Sequence, residues 1–195
     1  SSDYINYVYG AYKSLDWRSE GLAAETFVAK NCSVTVSHTE IQCTSAVGVG
    51  YGHYWSMTVG NQANNFSASQ EQTHYHIPNI ERLNFVYHYS SLETVGGERV
   101  TISGTNFGPA IPSNLVSFYY ENPDLEYRSI FGASRFNATN CSVTMDHVMT
   151  VCNSAEGVGH DHYWVGDVGR QSSNKSSVVT SYKAPQIETI EPLHS

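Results

Sequence analysis

The chain has 195 residues and carries 10 Lys+Arg against 18 Asp+Glu, a formal net charge of −8. Without any block of basic residues it lacks the footprint that displaces counterions from phosphates, which excludes nucleic acid as a partner and disfavours an anionic membrane surface. Charged residues make up only 14 %, against about 25 % in an average soluble domain, and Ser, Thr, Asn and Gly fill the deficit, the profile of an extracellular β-protein.

Helical periodicity is absent, and short alternating segments between turn residues run the length of the chain. It opens on Ser rather than Met, so a secreted protein of this kind is expected to be a processed product or a piece of a longer chain. The first informative stretches are Asn31-Cys32-Ser33-Val34-Thr35 and Gly48-Val49-Gly50-Tyr51-Gly52-His53-Tyr54-Trp55. They return as Asn140-Cys141-Ser142-Val143-Thr144 and Gly157-Val158-Gly159-His160-Asp161-His162-Tyr163-Trp164, both at an offset of 109. Between 31–62 and 140–171, 18 of 32 positions are identical without a gap, which chance cannot produce. Ile77-Pro78-Asn79-Ile80-Glu81 matches Ala184-Pro185-Gln186-Ile187-Glu188 at an offset of 107, and Tyr4-Ile5-Asn6-Tyr7 aligns loosely with Leu115-Val116-Ser117-Phe118. The repeat unit of about 107 residues is the size of an immunoglobulin-like sandwich.

After the Gly96-Gly97 turn, Val100-Thr101-Ile102-Ser103 alternates apolar and polar. Val116, Phe118 and Tyr120 share a face; Val143 with Met145 and Met149 with Val151 read the same way. Such alternation predicts antiparallel sheets with one buried face. No apolar run approaches the eighteen or so residues needed to span a bilayer, so no membrane insertion of this segment is expected.

The phase of the repeat divides the chain into residues 1–77, a unit lacking its first strands; 78–184, a complete unit; and 185–195, the opening strand of a further unit. The segment Gly96-Gly97-Glu98-Arg99-Val100-Thr101-Ile102-Ser103-Gly104-Thr105-Asn106-Phe107-Gly108 resembles the signature of the IPT/TIG domain, the immunoglobulin-like fold shared by plexins and some transcription factors. The resemblance continues through Cys141, Cys152, Gly157-Val158-Gly159, Val168-Gly169-Arg170-Gln171-Ser172 and the opening Ile187-Glu188-Thr189-Ile190-Glu191-Pro192. It covers all of the second unit and the retained portion of the first. It implies tandem β-sandwiches used for adhesion, ligand display or spacing, and no catalysis. A departure is the long stretch from Pro123 to Phe136.

Four cysteines allow three connectivities. The repeat favours Cys32 with Cys43 and Cys141 with Cys152, one bridge per unit, each stabilising by about 3 kcal/mol on the chain-entropy model. Ten residues between partners is not the close spacing of a structural zinc site. Five Asn-x-Ser/Thr sequons occur, at Asn31, Asn65, Asn137, Asn140 and Asn174; two pairs recur at the repeat offset, so N-linked glycans are expected. That places the chain in the secretory pathway, at the cell surface or beyond. The bland alternative is that these are polar turn residues.

His160-Asp161-His162 invites a metal reading, with both histidines on one face of a strand. Its counterpart Tyr51-Gly52-His53 loses two of the three ligands, so no metal site and no cofactor is expected. His74-Tyr75-His76 reads as linker packing, and Tyr54-Trp55 and Tyr163-Trp164 as core before sugar platforms. No nucleophile elbow, Walker loop or dinucleotide fingerprint is present, and no catalytic residue is assigned. Two functions fit. The first is a structural subunit that binds copies of itself head to tail, Ile187, Ile190 and Leu193 adding a strand to a neighbour's open first unit. The second is a fragment of a receptor or adhesion ectodomain that binds a protein or glycan.

Overall fold

The computed structural model describes residues 8–14, 26–64, 72–85, 91–110, 116–122 and 135–191. Tyr4–Tyr7, Asn65, Leu193 and most of the Pro123–Phe136 stretch lie outside them. The described residues form strands, turns and loops and no helix, so the chain is all-β, as the alternation predicts.

The first repeat contributes β1 (Val8–Ser14), β2 (Thr26–Val28), β3 (Lys30–Val36), β4 (Glu40–Thr44), β5 (His53–Val59), β6 (Gln62–Ala63) and β7 (Gln72–Thr73). The second repeat contributes β8 (Asn79–Phe85), β9 (Ser91–Leu92), β10 (Arg99–Thr105), β11 (Val116–Glu121), β12 (Arg135–Asn137), β13 (Thr139–Met145), β14 (Met149–Asn153), β15 (His162–Val168), β16 (Gln171–Ser172) and β17 (Val179–Tyr182). Two sheets make up the second repeat. The first runs β13-β14-β10-β8 and the other β12-β11-β15-β17-β9, with β16 on β15. All pairings are antiparallel except β17 with β9. One apolar cluster joins the two sheets: Ile80, Val100, Ile102 and Cys152 from the first, Val116, Phe118, Tyr120, Trp164, Val168 and Tyr182 from the second. Two layers sharing one core is the logic of a β-sandwich.

The predicted faces hold on β10 and β11, where Val100, Ile102, Phe118 and Tyr120 are buried. They fail on the β13–β14 hairpin. A register shift between Val143 and Met145 sets an extra residue against the partner strand and breaks the alternation, leaving Met145 exposed. On β14 the buried side chains are Thr150 and Cys152, while Met149 and Val151 are half-buried on the other face.

The repeat is also a repeat of register. β3–β4 pairs Lys30 with Thr44, Ser33 with Gln42, Val34 with Ile41 and Val36 with Glu40. β13–β14 pairs Thr139 with Asn153, Ser142 with Val151, Val143 with Thr150 and Met145 with Met149, each 109 residues on. Asn31 and Asn140 share φ 51°, and Gly50 and Gly159 share φ 100°. Upstream the loose alignment is corrected. Val8 pairs with Val59 on β5 as Val116 pairs with Val168 on β15, so β1 corresponds to β11 at an offset of 108, where the loose alignment gives 111.

Gly104 sits where β8 and β10 shift register. A Cβ there would lie 1.9 Å from the Asn79 carbonyl oxygen and 2.8 Å from the Phe107 ring. Gly97 is held at φ 80° with open space around it. Gly97→Ala should therefore cost about 1–2 kcal/mol of backbone strain, and Gly104→Ala should cost more, since it forces two strands apart. Urea unfolding of the two variants checks the order; equal losses would show that the β8–β10 approach is not tight.

Candidate functional site

The hairpin β13–β14 shows what each repeat builds first. Its register brings Cys141 across from Cys152, and their sulfurs lie at bonding distance, as do those of Cys32 and Cys43. Both pairs are within their own repeat, and bridged pairs suit an oxidising, extracellular compartment. A bulge precedes each bridge. Lys30 to Ser33 spans one residue more than Thr44 to Gln42, and Asn31 lies in it at positive φ, as does Asn140 in its equivalent. Asn tolerates that conformation better than other side chains with a Cβ.

The two hairpins differ in what lies beside them. β14 pairs β13 on one edge and β10 on the other. Among the described residues β4 pairs β3 alone. The burial follows: Cys152 and Thr150 are fully buried, whereas their counterparts Cys43 and Ile41 are half-buried. Trp164 is fully buried and Trp55 is not. Among the described residues, the first repeat thus presents an unpaired strand edge and a half-covered apolar face.

Beyond β17 the chain runs without strand pairing through residues 183–191. Ile187 and Ile190 there are 80 % and 82 % exposed. Their equivalents at offset 107, Ile80 and Leu83, face the core from β8, and the three-residue spacing is explained by the bulge at Glu81 between the pairs Ser103–Arg82 and Gly104–Ile80. Of the predicted assembly residues, Ile187 and Ile190 are therefore exposed, and Leu193 lies outside the described residues. Asn31, Asn137, Asn140 and Asn174 are all exposed; Asn65 is outside the described residues.

Around His53 and His162 each repeat builds an aromatic box. Phe27 and Tyr75 meet His53 edge-on at 5.2 and 5.5 Å; Phe136 and Tyr182 meet His162 at 5.2 and 5.6 Å. Tyr75 donates its hydroxyl to the Ala46 carbonyl at 2.7 Å, and Tyr182 donates to Ala155 at 2.8 Å. In the second repeat Tyr120 stacks on Trp164 at 4.4 Å. Tyr163-Trp164 is thus core at its tryptophan, and His74-Tyr75-His76 packs through Tyr75. His160-Asp161-His162 does not present two histidines on one face of a strand. His160 is exposed beside Asp161, Asp161 has φ 55°, and His162 alone begins β15 and is buried. Among the described residues no three His, Cys, Asp or Glu converge as metal ligands.

Burial holds both box histidines below the ordinary histidine pKa, against backbone carbonyls that favour the charged form: Val49 and Gly50 at His53, Thr180 at His162. The Val49 carbonyl accepts from Nε2 of His53 and the Thr180 carbonyl from Nδ1 of His162, both at 3.2 Å.

The junction between the repeats is a site that the sequence does not announce. Val49 is 8 % exposed and belongs to the core cluster of the second repeat. A Cβ on Gly108 would lie 2.6 Å from it, and one on Gly169 2.7 Å, so both glycines are needed for the approach. Gln171 donates its amide to the Tyr75 carbonyl at 2.9 Å, and Asn106 donates to that of Ile77 at 3.0 Å. The glycine at each of these places is the one signal by which it could have been found.

The boxes make stability depend on pH. In the unfolded chain histidine charges near pH 6.5, while in the fold it stays neutral to lower pH, so stability is complete above about pH 6.5 and falls below it, by at most about 1.4 kcal/mol per pH unit for each histidine. His53→Phe with His162→Phe should flatten that stretch of the curve in urea titrations at pH 7.5 and 5.5; an unchanged slope would place the proton uptake elsewhere. At the bulge, Asn140→Gly should fold as well as the parent and Asn140→Ala should lose about 1 kcal/mol, read by urea midpoints. Among known proteins, no family model, no curated protein and no solved structure matches this chain.

Proposed function

We propose that this chain is a non-enzymatic extracellular glycoprotein whose copies join head to tail into a fibre or surface array. It is read as tandem immunoglobulin-like sandwiches of IPT/TIG type, 1–77 and 78–184, followed by a donor strand, 185–195. The observation that carries this reading is the edge of β4, unpaired among the described residues, in a chain that also holds an exposed apolar segment around Ile187 and Ile190.

A strand edge leaves backbone N–H and C=O groups in need of partners, and an incoming strand supplies both hydrogen bonds and side-chain cover. In the second repeat β10 and then β8 fill the space beyond β14. The segment after Lys183 carries the β8 pattern, and laid along β4 of a neighbour it would cover the face of Ile41 and Cys43. It fills one of the two strand positions, so the repair is partial. Because donor and acceptor lie at opposite ends, the contact is heterologous and propagates. Glycans on Asn31, Asn65, Asn137, Asn140 and Asn174 would clothe the remaining surface.

The alternative, a receptor or adhesion ectodomain fragment, is favoured by one feature: residues 184–188 match 77–81, the start of a unit that goes on to a β10-type strand. Electron microscopy of the native glycosylated chain, without reductant, separates the two. Filaments with an axial repeat of one or two units are expected from the full chain and none from a chain ending at Ala184. Dispersed short rods from the full chain would sink the fibre reading.

A further inference from the structure

The contact between the two repeats has two halves, a knob and a socket. The knob is Gly48-Val49-Gly50 with the Tyr75 carbonyl. The socket is the β15–β16 turn, Val168-Gly169-Arg170-Gln171, together with Gly108. Val49 is buried against Gly108 and Gly169, Gly50 packs on the Gly169 backbone, and Gln171 closes the contact on Tyr75.

Because the repeat offset carries both halves, the chain holds each of them twice. The second knob is Gly157-Val158-Gly159 with Tyr182. Val158 is 50 % exposed where Val49 is 8 %. Gly159 keeps the φ of Gly50, 100°, and Tyr182 donates its amide to the Gly159 carbonyl at 2.8 Å as Tyr75 does to Gly50 at 2.9 Å. The second socket is the β5–β6 turn, Val59-Gly60-Asn61-Gln62. Gly60 and Gly169 have φ 55° and 54°, and Asn61 and Arg170 have φ 64° and 68°. Val59 pairs with Gln62 as Val168 pairs with Gln171. Val59 is 43 % exposed where Val168 is 1 %, and a Cβ on Gly60 meets nothing within 4 Å where one on Gly169 strikes Val49.

We infer that the Val158 knob of one copy of this chain docks on the Val59–Gln62 turn of the next, reproducing the internal junction between copies. The partner is a second copy because each half is complementary to a surface that this chain already packs against itself. The docking rests on the head-to-tail reading and deepens it, since it names the surfaces by which successive copies meet. Every step along the array then has a similar rotation. The wall that Gly108 gives the second socket has no counterpart among the described residues of the first, and the contact acts together with strand addition.

The test is a site-directed disulfide between copies of the full glycosylated chain. Val158→Cys is mixed with Val59→Cys under mild oxidation, and the bridged peptide is identified by mass spectrometry. A Val49→Cys, Val168→Cys double variant, closing within one chain at the two valines that flank Gly108, is the control for geometry. A 158–59 bridge between copies, absent when Cys is placed instead at exposed Glu40, is the expected result. In parallel, Gly60→Asn, which tolerates the positive φ but fills the socket, and Val158→Glu are imaged for filaments and should reduce their number at least tenfold. Normal filaments from both variants without the 158–59 bridge would overturn the docking and leave the fibre reading standing. A bridge without filaments from the parent would uphold the docking and sink the fibre. Neither bridge nor filaments would sink both.

Discussion

Each repeat is held by a tyrosine hydroxyl that crosses from one sheet to the loop leaving the other. Tyr182 ends β17, and its hydroxyl reaches the Ala155 carbonyl in the loop after β14. Tyr75 makes the same bond to Ala46 after β4. The ring beneath that hydroxyl forms a wall of the histidine box, so the latch, the box and the path of the Gly-Val-Gly loop are set together. In the second repeat Tyr120 joins in, its hydroxyl 2.6 Å from that of Tyr182 and its ring on Trp164. A buried hydroxyl without a partner is costly, so this network can be met in only one relative placement of the sheets. The first repeat keeps the latch even though, among the described residues, β4 pairs on one side only. Its half-covered face therefore belongs to an ordered frame.

That frame positions the knob. The loop from Ala46 to Gly50 is anchored at its start by the Tyr75 hydroxyl and at its end by the amide of Tyr75 on the Gly50 carbonyl. Val49 is left to project between the two anchors into the second repeat. The same two bonds frame Val158. A projecting valine on a rigid loop loses little entropy on docking, which is how preorganisation converts a small contact into a specific one.

Much of this was legible because the sequence repeats. An offset read from Asn31 and Asn140 transfers to hairpin register, bulge, bridge and turn without further information, and the cysteine pairing follows from the same symmetry. Legibility failed where the determining contact is remote in sequence. Alternation put Met149 and Val151 on the buried face, but β14 turns its other face inward, Thr150 in phase with the bridged Cys152. The weak likeness of Tyr4–Tyr7 to Leu115–Phe118 gave an offset of 111, and only strand pairing across to β5 shows that the offset is 108. His160-Asp161-His162 looked like an alternating strand because a positive φ at Asp161 leaves no trace in residue type. Val49 looked like any core valine, and nothing local says that its core belongs to the neighbouring repeat.

The sequons and the open edge also bear on each other. In the second repeat the outer strands β12 and β13 carry Asn137 and Asn140, each at the edge of its sheet. In the first, β3 carries Asn31, while its partner β4 carries no sequon. A sheet edge pairs with any extended chain unless something bulky or charged prevents it. Glycans at these asparagines would close the β3, β12 and β13 edges to random pairing and leave β4 open. The side chains that β4 exposes, Glu40, Gln42 and Thr44, are polar, so that edge is soluble before it is filled. An array-forming chain needs one edge that pairs and others that do not, and the sequons meet that requirement at β3, β12 and β13, while the edges of β2, β6, β8 and β9 carry none.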